Sequence, residues 1–306
     1  MQWILYIVAR ALLLVLQCLP LWLVVRLGRF FGWMVWLFDK RHRKVAFSNI
    51  QAAIGKDMSK AEIAGLVKEN FKRIGENFSC AAKTLSMNDE RIQSVLEVEG
   101  REYFRERDDD GKLISRIVAI GHFGNFEIYS RLADFFNEAR GATTYRGLKQ
   151  PMLNRLLQEV RSQSRVTYFE RRTEAAALKE FMAKGGAILG LLADQSAGVK
   201  GARIEMFGRP CSASTAPAVF ALRYDGPLHT AICYRVAPGR WKIEIEPEIP
   251  TRENGQPREV EAITEDVQRR FENAIRRDPA NWFWVHNRWK HLGKERRRAG
   301  KGIEGE

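Results

Sequence analysis

The sequence predicts an α/β protein with a mixed, largely parallel sheet, helices on both faces and an N-terminal membrane-anchoring helical segment. Three observations support this. Apolar runs of strand length alternate with amphipathic helical patterns along most of the chain. Residues 187–193 are apolar almost throughout, which is typical of a strand covered on both faces. Residues 3–38 are also almost entirely apolar, over a longer stretch.

Length and charge narrow the functional classes. At 306 residues the chain is long enough for one large domain with a membrane-facing extension. Its 50 Lys and Arg against 37 Asp and Glu give a net charge of +13. We therefore expect an anionic partner: nucleic acid, an anionic membrane, an acidic protein or a phosphorylated substrate. The 4 cysteines and 5 histidines show no ligand or disulfide spacing, so we expect no metal and a reducing cytosolic setting.

The apolar N-terminus favours membrane attachment. Its longest uncharged stretch, 11–25, has about fifteen residues, fewer than the ~20 that cross a bilayer unaided. Arg10 and Arg26 flank this stretch and can snorkel from its ends. A transmembrane helix and a Pro20-broken hairpin in one leaflet both stay open, and a buried helix pair in a soluble core is the less favoured alternative. We expect no cleaved signal peptide, and place the basic cluster 40–44 on the cytoplasmic side.

The remaining elements follow from apolar periodicity and turn residues. Helices are predicted over 60–78 (after a capping box at Ser59 and Glu62), from about 126, and over 151–163, 173–183, 213–223 and 260–275. Strands are predicted over 95–99, 116–121, 143–145, 166–169, 187–193, 228–236 and 241–245. Residues 45–58 are interpreted as a connector and 207–210 as a turn leading into a capped helix. The predicted divisions are 1–44 (anchor and basic flank), 45–292 (α/β domain) and 293–306 (basic, disordered tail).

The segment 121–127, Gly-His-Phe-Gly-Asn-Phe-Glu, is the first candidate site. The preceding apolar run predicts a buried strand that delivers His122 to its C-terminal end. Gly121 and Gly124 favour a turn that folds Glu127 back against His122. A carboxylate bonded to one ring nitrogen fixes the tautomer and raises the basicity of the other nitrogen, which suits a general base. The alternative is a structural histidine with Glu127 in an ordinary first helical turn.

A second group of candidates is expected near the same edge of the sheet. Asp194 and Gln195 follow the apolar run 187–193, so they emerge beside His122 if the two strands are parallel. Four basic residues lie between these points in the sequence: Arg146, Lys149, Arg155 and Arg161. Arginine suits phosphate and carboxylate groups because its planar fork donates two parallel hydrogen bonds. Each arginine alone fits a solvated helix face equally well, and Asp194 alone fits a loop or cap.

The segment 282–290 is dense in aromatic and basic residues. This mixture suits a membrane interface, where an indole is amphipathic and a cation meets phosphate. It also suits stacking on single-stranded nucleic acid. Packing of the aromatic rings on the core is the third interpretation, and the sequence leaves all three open.

Taken together, the chain resembles the lipid A late acyltransferases, within the lysophospholipid-acyltransferase-like superfamily. The resemblance covers most of the chain and rests on features that occur in order. They are the apolar N-terminus, the His-x4-Glu element at His122 and Glu127, Tyr145-Arg146 through Pro151 to Arg161, Asp194-Gln195, Phe207-Gly208 with Thr215, and the ending Trp284 to Lys290. One departure is local: residues 146–151 lack the Arg-Pro and Asn-Pro pairs common in that family, which leaves the acceptor open.

This resemblance implies a membrane-bound enzyme of the bacterial inner membrane, with its catalytic domain on the cytoplasmic face. It would move an acyl chain from acyl carrier protein, or coenzyme A, to a hydroxyl of a lipid A precursor or related glycolipid, without metal or cofactor. His122 and Glu127 would be catalytic. The implied substrate-binding residues are Arg146, Lys149, Arg161, Asp194 and Gln195. Backbone donors near Gly124 or Gly208 would hold the oxyanion.

Alternatives remain at this stage. Another acceptor lipid, such as a lysophospholipid or aminolipid, fits the same catalytic pair. A serine hydrolase is disfavoured because no Gly-x-Ser-x-Gly elbow is present. A membrane-associated nucleic-acid-binding protein is the remote alternative, and it leaves the apolar N-terminus unexplained; we expect no nucleic-acid partner.

Overall fold

The computed structural model describes residues 2–136, 138–162 and 164–289. The helices are α1 (Gln2–Cys18), α2 (Leu21–Phe38), α3 (Lys40–Ala53), α4 (Lys60–Thr84), α5 (Asp89–Val95), α6 (Pro151–Arg161), α7 (Ala175–Ala183), α8 (Ala216–Tyr224) and α9 (Val260–Arg277). The strands are β1 (Leu96–Glu99), β2 (Arg116–Ile120), β3 (Arg140–Tyr145), β4 (Val166–Glu170), β5 (Ala187–Leu192), β6 (Ala202–Met206), β7 (Arg209–Ala213), β8 (Leu228–Ala237), β9 (Arg240–Ile245), β10 (Arg252–Glu253) and β11 (Gln256–Pro257). The predicted basic tail, 293–306, lies outside the described residues.

The apolar N-terminus forms two helices that separate at Pro20, a break that the sequence left as one of two alternatives. Of the described helices, α2 is long and apolar enough to cross a membrane. It packs along α4 at a close crossing, where a Cβ on Gly28 would lie 2.7 Å from the carbonyl oxygen of Gly75. Small residues permit such a crossing because two helix backbones can then touch. The anchor is therefore packed against the rest of the protein along one face.

A buried carboxylate reinforces this crossing. Glu76, on α4, is fully buried and accepts hydrogen bonds from Arg29 of α2 at 3.2 Å and from Arg235 of β8 at 2.9 Å. The backbone N–H of Gly239 donates to it at 3.1 Å. A buried carboxylate is tolerated when it is paired and hydrogen-bonded in this way. One side chain thus joins the anchor, α4 and the β8–β9 hairpin.

The connector predicted over 45–58 is wrong for most of its length, because α3 runs without a break from Lys40 to Ala53. Asp39 caps this helix by accepting from the backbone N–H of His42 at 3.0 Å. The predicted division between residues 44 and 45 consequently falls inside a helix. The capping box at Ser59 and Glu62 is confirmed at the start of α4.

The main sheet has seven strands in the order β1-β9-β8-β2-β5-β3-β4 within the described residues. Every neighbouring pair is parallel except β8 with β9, which are antiparallel. On one face Ile117 and Ala119 belong to a core shared with α8 and α9; on the other, Val118 and Ile120 pack with the segment 126–135. The predicted mixed, largely parallel α/β fold is confirmed.

Two local predictions differ from the structure. The helix predicted from about 126 is a 3-10 segment, Phe126–Phe135, which opens with the tight bond from the Ile128 N–H to the Asn125 carbonyl at 3.0 Å. The turn at 207–208 does not lead directly into a helix, because it joins β6 to β7 in a hairpin before α8 begins. Alternation in 202–213 is weak and interrupted by Pro210, so the hairpin has little signature in the sequence.

Candidate active site

His122 and Asp194 meet at the carboxyl edge of the sheet. Strands β2 and β5 are parallel neighbours with Ile120 opposite Leu192, so the two site residues each lie two positions beyond that pair. The Asp194 carboxylate accepts from the backbone N–H of His122 at 2.9 Å and contacts Nδ1 of its ring at 2.8 Å. The prediction that Asp194 emerges beside His122 is confirmed.

The expectation that Glu127 bonds the His122 ring is wrong. The ring nitrogen is held by Asp194, and the Glu127 carboxylate accepts instead from Arg161 at 2.8 Å. The cause is geometric: the neighbouring strand carries Asp194 to the ring, whereas the 3-10 segment directs Glu127 toward the end of α6. Glu127 acts on His122 through its charge only.

The surroundings of the pair favour an imidazolium next to a carboxylate. Burial lowers the pKa of His122, but the charge and hydrogen bond of Asp194, with a further contribution from Glu127, outweigh burial and leave that pKa raised. Burial raises the pKa of Asp194, but His122 and the indole N–H of Trp282, at 2.8 Å, reverse this and leave that pKa lowered. With Asp194 ionised, Nδ1 carries the proton and Nε2 is the basic nitrogen. Nε2 has no hydrogen-bond partner among the described residues.

Arg161 and Glu127 form a second, adjoining pair. The guanidinium lies 4.9 Å from the ring centre of Tyr168, and its Nε is buried with no hydrogen-bond partner in the described part of the chain. A buried N–H donor without an acceptor destabilises the folded protein unless a substrate atom accepts its hydrogen bond. Arg161 therefore combines a charge that Glu127 balances with an Nε–H that no described residue accepts.

Both pairs open onto a cavity of about 1040 Å³. Its inner wall is one face of β2, β5, β3 and β4, and the segment 126–135 covers it. The lining includes apolar side chains, among them Val118, Ile120 and Leu132, together with polar and charged ones. Gly190 leaves room at the centre, since a Cβ there would meet Ile120 only at an ordinary 3.6 Å. Such a shape suits an alkyl chain whose reactive end reaches His122.

The other predicted site residues are divided between the cavity and its surroundings. Arg146 and Gln195 line the cavity. Lys149 is exposed on the loop between β3 and α6 and is not among the lining residues. Arg155 is paired with Glu159 at 2.9 Å and is exposed. Three cations that sequence reasoning missed line the cavity: Arg171, Arg172 and Lys200. Arg171 and Arg172 directly follow β4, whereas Lys200 comes after β5, so nothing local in the sequence connects Lys200 to the other two.

Neither glycine proposed near an oxyanion donor supplies a free N–H at the site. The N–H of Gly124 donates to the carbonyl of Asn281 at 3.0 Å. Gly208 is in the β6–β7 turn and is not among the cavity-lining residues.

The segment 282–289 packs into the core instead of forming a membrane or nucleic-acid surface. Trp282 and Trp284 are buried, and Trp282 donates to Asp194. The side-chain amide of Asn70 holds this segment by donating to the carbonyls of Ala280 and Trp282, at 2.9 and 2.6 Å. The side-chain amide of Asn49 donates in the same way to the backbone carbonyl of Trp284 at 2.9 Å. Buried indoles cannot stack on bases, so the sequence argument for nucleic acid is removed; Lys290 lies outside the described residues.

Comparison with known proteins agrees with this geometry. A family model described as bacterial lipid A biosynthesis acyltransferase matches residues 1–291. The chain is 24% identical over 293 residues to the lipid A biosynthesis lauroyltransferase of Escherichia coli strain K12, covering 94% of this chain and 92% of that protein. It is 26% identical over 165 residues to a lipid A biosynthesis acyltransferase of Haemophilus influenzae, covering 53% of this chain and 50% of that protein.

Proposed function

Because this chain belongs to the bacterial lipid A biosynthesis acyltransferase family and is an acyltransferase, we propose that it acylates a hydroxyl of a lipid A precursor with His122 as general base. The donor is an acyl thioester, carried by acyl carrier protein. The observation that carries the proposal is the His122–Asp194 pair at the mouth of an apolar cavity.

In the proposed reaction the acceptor hydroxyl approaches Nε2 of His122. Nε2 takes the proton as the hydroxyl oxygen attacks the thioester carbonyl carbon and the new C–O bond forms. The tetrahedral intermediate collapses, the C–S bond breaks, and the leaving thiolate takes the proton back from Nε2. General-base assistance of this kind contributes roughly 10²–10⁴-fold. A thioester is already activated, so the steps need no metal and no protein nucleophile.

Asp194 supports both states of the base. Its hydrogen bond keeps the proton on Nδ1 before the reaction, and its charge stabilises the imidazolium formed during it. Trp282 and the backbone N–H of His122 fix the carboxylate, so little reorganisation accompanies the charge change.

Arg161 is assigned to the donor's thioester end. Arg161 lines the cavity, and its charge is already balanced by Glu127 at 2.8 Å. Those features suit a thioester oxygen that gains negative charge during attack better than a phosphate dianion. The acyl chain would extend from this point along the sheet face past Gly190.

The proposed location is the inner membrane, with the catalytic domain on the cytoplasmic face. The apolar helix α2 precedes the basic cluster 40–44, and clusters of that kind stay on the cytoplasmic side. Acyl carrier protein would then reach the site from the cytosol.

The test is mass spectrometry of products made by the purified full chain. Acyl carrier protein and coenzyme A thioesters are offered as donors, with a lipid A precursor, a lysophospholipid and an aminolipid as acceptors. Transfer to the lipid A precursor that disappears in His122→Ala supports the proposal; transfer to another lipid alone overturns the assigned acceptor. His42→Ala is the matched control, because it removes the exposed His42–Asp39 pair on α3.

A further inference from the structure

The rim of the cavity carries an unusual combination of exposed apolar side chains and cations. Val199 is 90% exposed, between Gly198 and the cavity-lining Lys200. Leu148 is 48% exposed and lines the cavity beside Arg146. Apolar side chains interleaved with lysine and arginine are typical of surfaces that contact lipid headgroups.

The cations of this rim lack anionic partners. Among the residues that the structure describes, no carboxylate lies within 4.0 Å of the charged groups of Arg146, Arg171, Arg172 or Lys200. Nearby arginines of the same region are paired: Arg155 with Glu159 at 2.9 Å and Arg161 with Glu127 at 2.8 Å. Within the described residues these four cations thus form no ion pair; Glu170, next to Arg171, accepts instead from the backbone N–H groups of Arg172 and Thr173.

The rim also adjoins the N-terminal anchor. The backbone N–H of Leu148 donates to the side chain of Asn154 on α6 at 2.9 Å. Farther along α6, Glu159 accepts from Arg10 of α1 at 2.9 Å. Helix α1 exposes apolar side chains along its length, including Leu12 at 59%. One helix thus connects the rim to the apolar surface of the anchor.

We propose that the rim, composed of Leu148, Val199, Arg146, Arg171, Arg172 and Lys200, is a second membrane contact that places the cavity entrance on an anionic lipid surface. Apolar side chains enter the headgroup region while lysine and arginine meet lipid phosphates. An acidic protein would also be attracted by the cations, but the connection of the rim through α6 to the apolar helix α1 favours a lipid surface. With the entrance on the bilayer, a lipid acceptor reaches His122 without crossing water.

This inference deepens the proposed function, and its test reads lipid contact instead of acyl transfer, so the two can fail separately. The full chain carries Cys18→Ser, which removes the exposed cysteine, and Val199→Cys labelled with a polarity-sensitive fluorophore. The labelled protein is reconstituted in phosphatidylcholine vesicles with or without phosphatidylglycerol, part of the lipid having brominated acyl chains. Leu12→Cys is the positive control, and Val219→Cys, an exposed valine on α8, is the matched negative control.

We expect a blue shift and bromolipid quenching at position 199 in the phosphatidylglycerol vesicles, weaker in phosphatidylcholine alone and weakened by salt. The pair Arg171→Glu, Arg172→Glu should remove most of this quenching and leave that at position 12 unchanged. Absence of quenching at 199 while position 12 is quenched overturns the proposal. So does a fluorescence change at 199 that appears only when acyl carrier protein is added.

Discussion

The carboxylate that holds the His122 ring belongs to Asp194, 72 residues further along the chain, and not to Glu127. The register of two parallel strands places it there: both residues lie two positions past the pair Ile120 and Leu192. The His-x4-Glu element therefore contains two side chains with separate partners. Its histidine belongs to a pair with Asp194, and its glutamate to a pair with Arg161.

Replacement of Asp194 by Asn should lower kcat by about 10²–10⁴-fold, because the amide cannot enforce the Nδ1–H tautomer or stabilise the imidazolium. The pH dependence gives a second readout. Asp194 raises the pKa of His122, and the base must be neutral, so wild-type activity falls as pH decreases through that raised pKa. In Asp194→Asn the pKa of His122 is lower, so the acidic limb of the residual kcat profile moves to lower pH. Asp39→Asn is the control; an unmoved limb with near-normal kcat would refute the assignment.

Replacement of Arg161 by Lys should lower kcat by about 10²-fold with a smaller effect on KM. The charge remains but the planar guanidinium that lines the cavity and pairs with Glu127 is lost, and removal of one preorganised donor to an oxyanion has an effect of this size. Arg155→Lys is the control on the same helix, since Arg155 is exposed and paired with Glu159. Steady-state kinetics with a single acyl donor measures kcat and KM for both variants. Equal rates for the two variants would show that Arg161 contributes only charge.

Glu127→Gln should couple to Arg161→Lys. If Glu127 acts by orienting Arg161, the double variant loses clearly less activity than the product of the two single losses predicts. The loss of activity caused by Glu127→Gln should combine with the loss caused by Asp194→Asn in a more nearly multiplicative way. The measurement is kcat/KM of the five variants in these two cycles, each relative to the wild type. If the two single losses multiply in the Glu127–Arg161 cycle, the idea that Glu127 acts by orienting Arg161 is contradicted.

Gly190→Val should shorten the acyl chains that the enzyme accepts. The new side chain enters the cavity between Val118 and Thr143, while its Cβ makes only an ordinary contact with Ile120. Apolar pockets discriminate by about tenfold or more per methylene, so kcat/KM for the longest accepted chain should fall by at least that factor. A competition among thioesters of different chain length, read by mass spectrometry, measures the shift. Gly65→Val on α4, where a Cβ meets nothing within 4 Å, should leave the chain-length profile unchanged.

Arg29→Ala should destabilise the whole domain by about 1–3 kcal/mol, because it removes a donor from the buried Glu76 carboxylate. Thermal unfolding in detergent micelles measures the effect as a lower Tm. Arg26→Ala is the matched control on the same helix, since Arg26 is exposed and lies over the ring of Trp22. Identical Tm values for the two variants would contradict a structural role of the crossing between α2 and α4.

The periodicity of apolar residues in the sequence was sufficient to predict the fold class and most of the helices and strands. The apolar runs before His122 and Asp194 predict buried parallel strands, and parallel strands end at one edge, so the meeting of these residues follows from the sequence. The partner of Glu127 does not follow, because it depends on whether residues 126–135 form an α-helix or a 3-10 segment. The role of Trp282 was hidden for a related reason: an aromatic, basic segment has the same composition on a membrane or in a core.

Residues from the far end of the chain brace the catalytic pair. Asp194 receives its third hydrogen bond from Trp282, 88 residues later, and Asn49 and Asn70 hold the backbone on both sides of that indole. During synthesis the anchor and the strands carrying His122 and Asp194 leave the ribosome well before this brace does. In the nascent chain the Asp194 carboxylate therefore lacks this third hydrogen bond, and its surroundings are complete only after residue 282 has been synthesised.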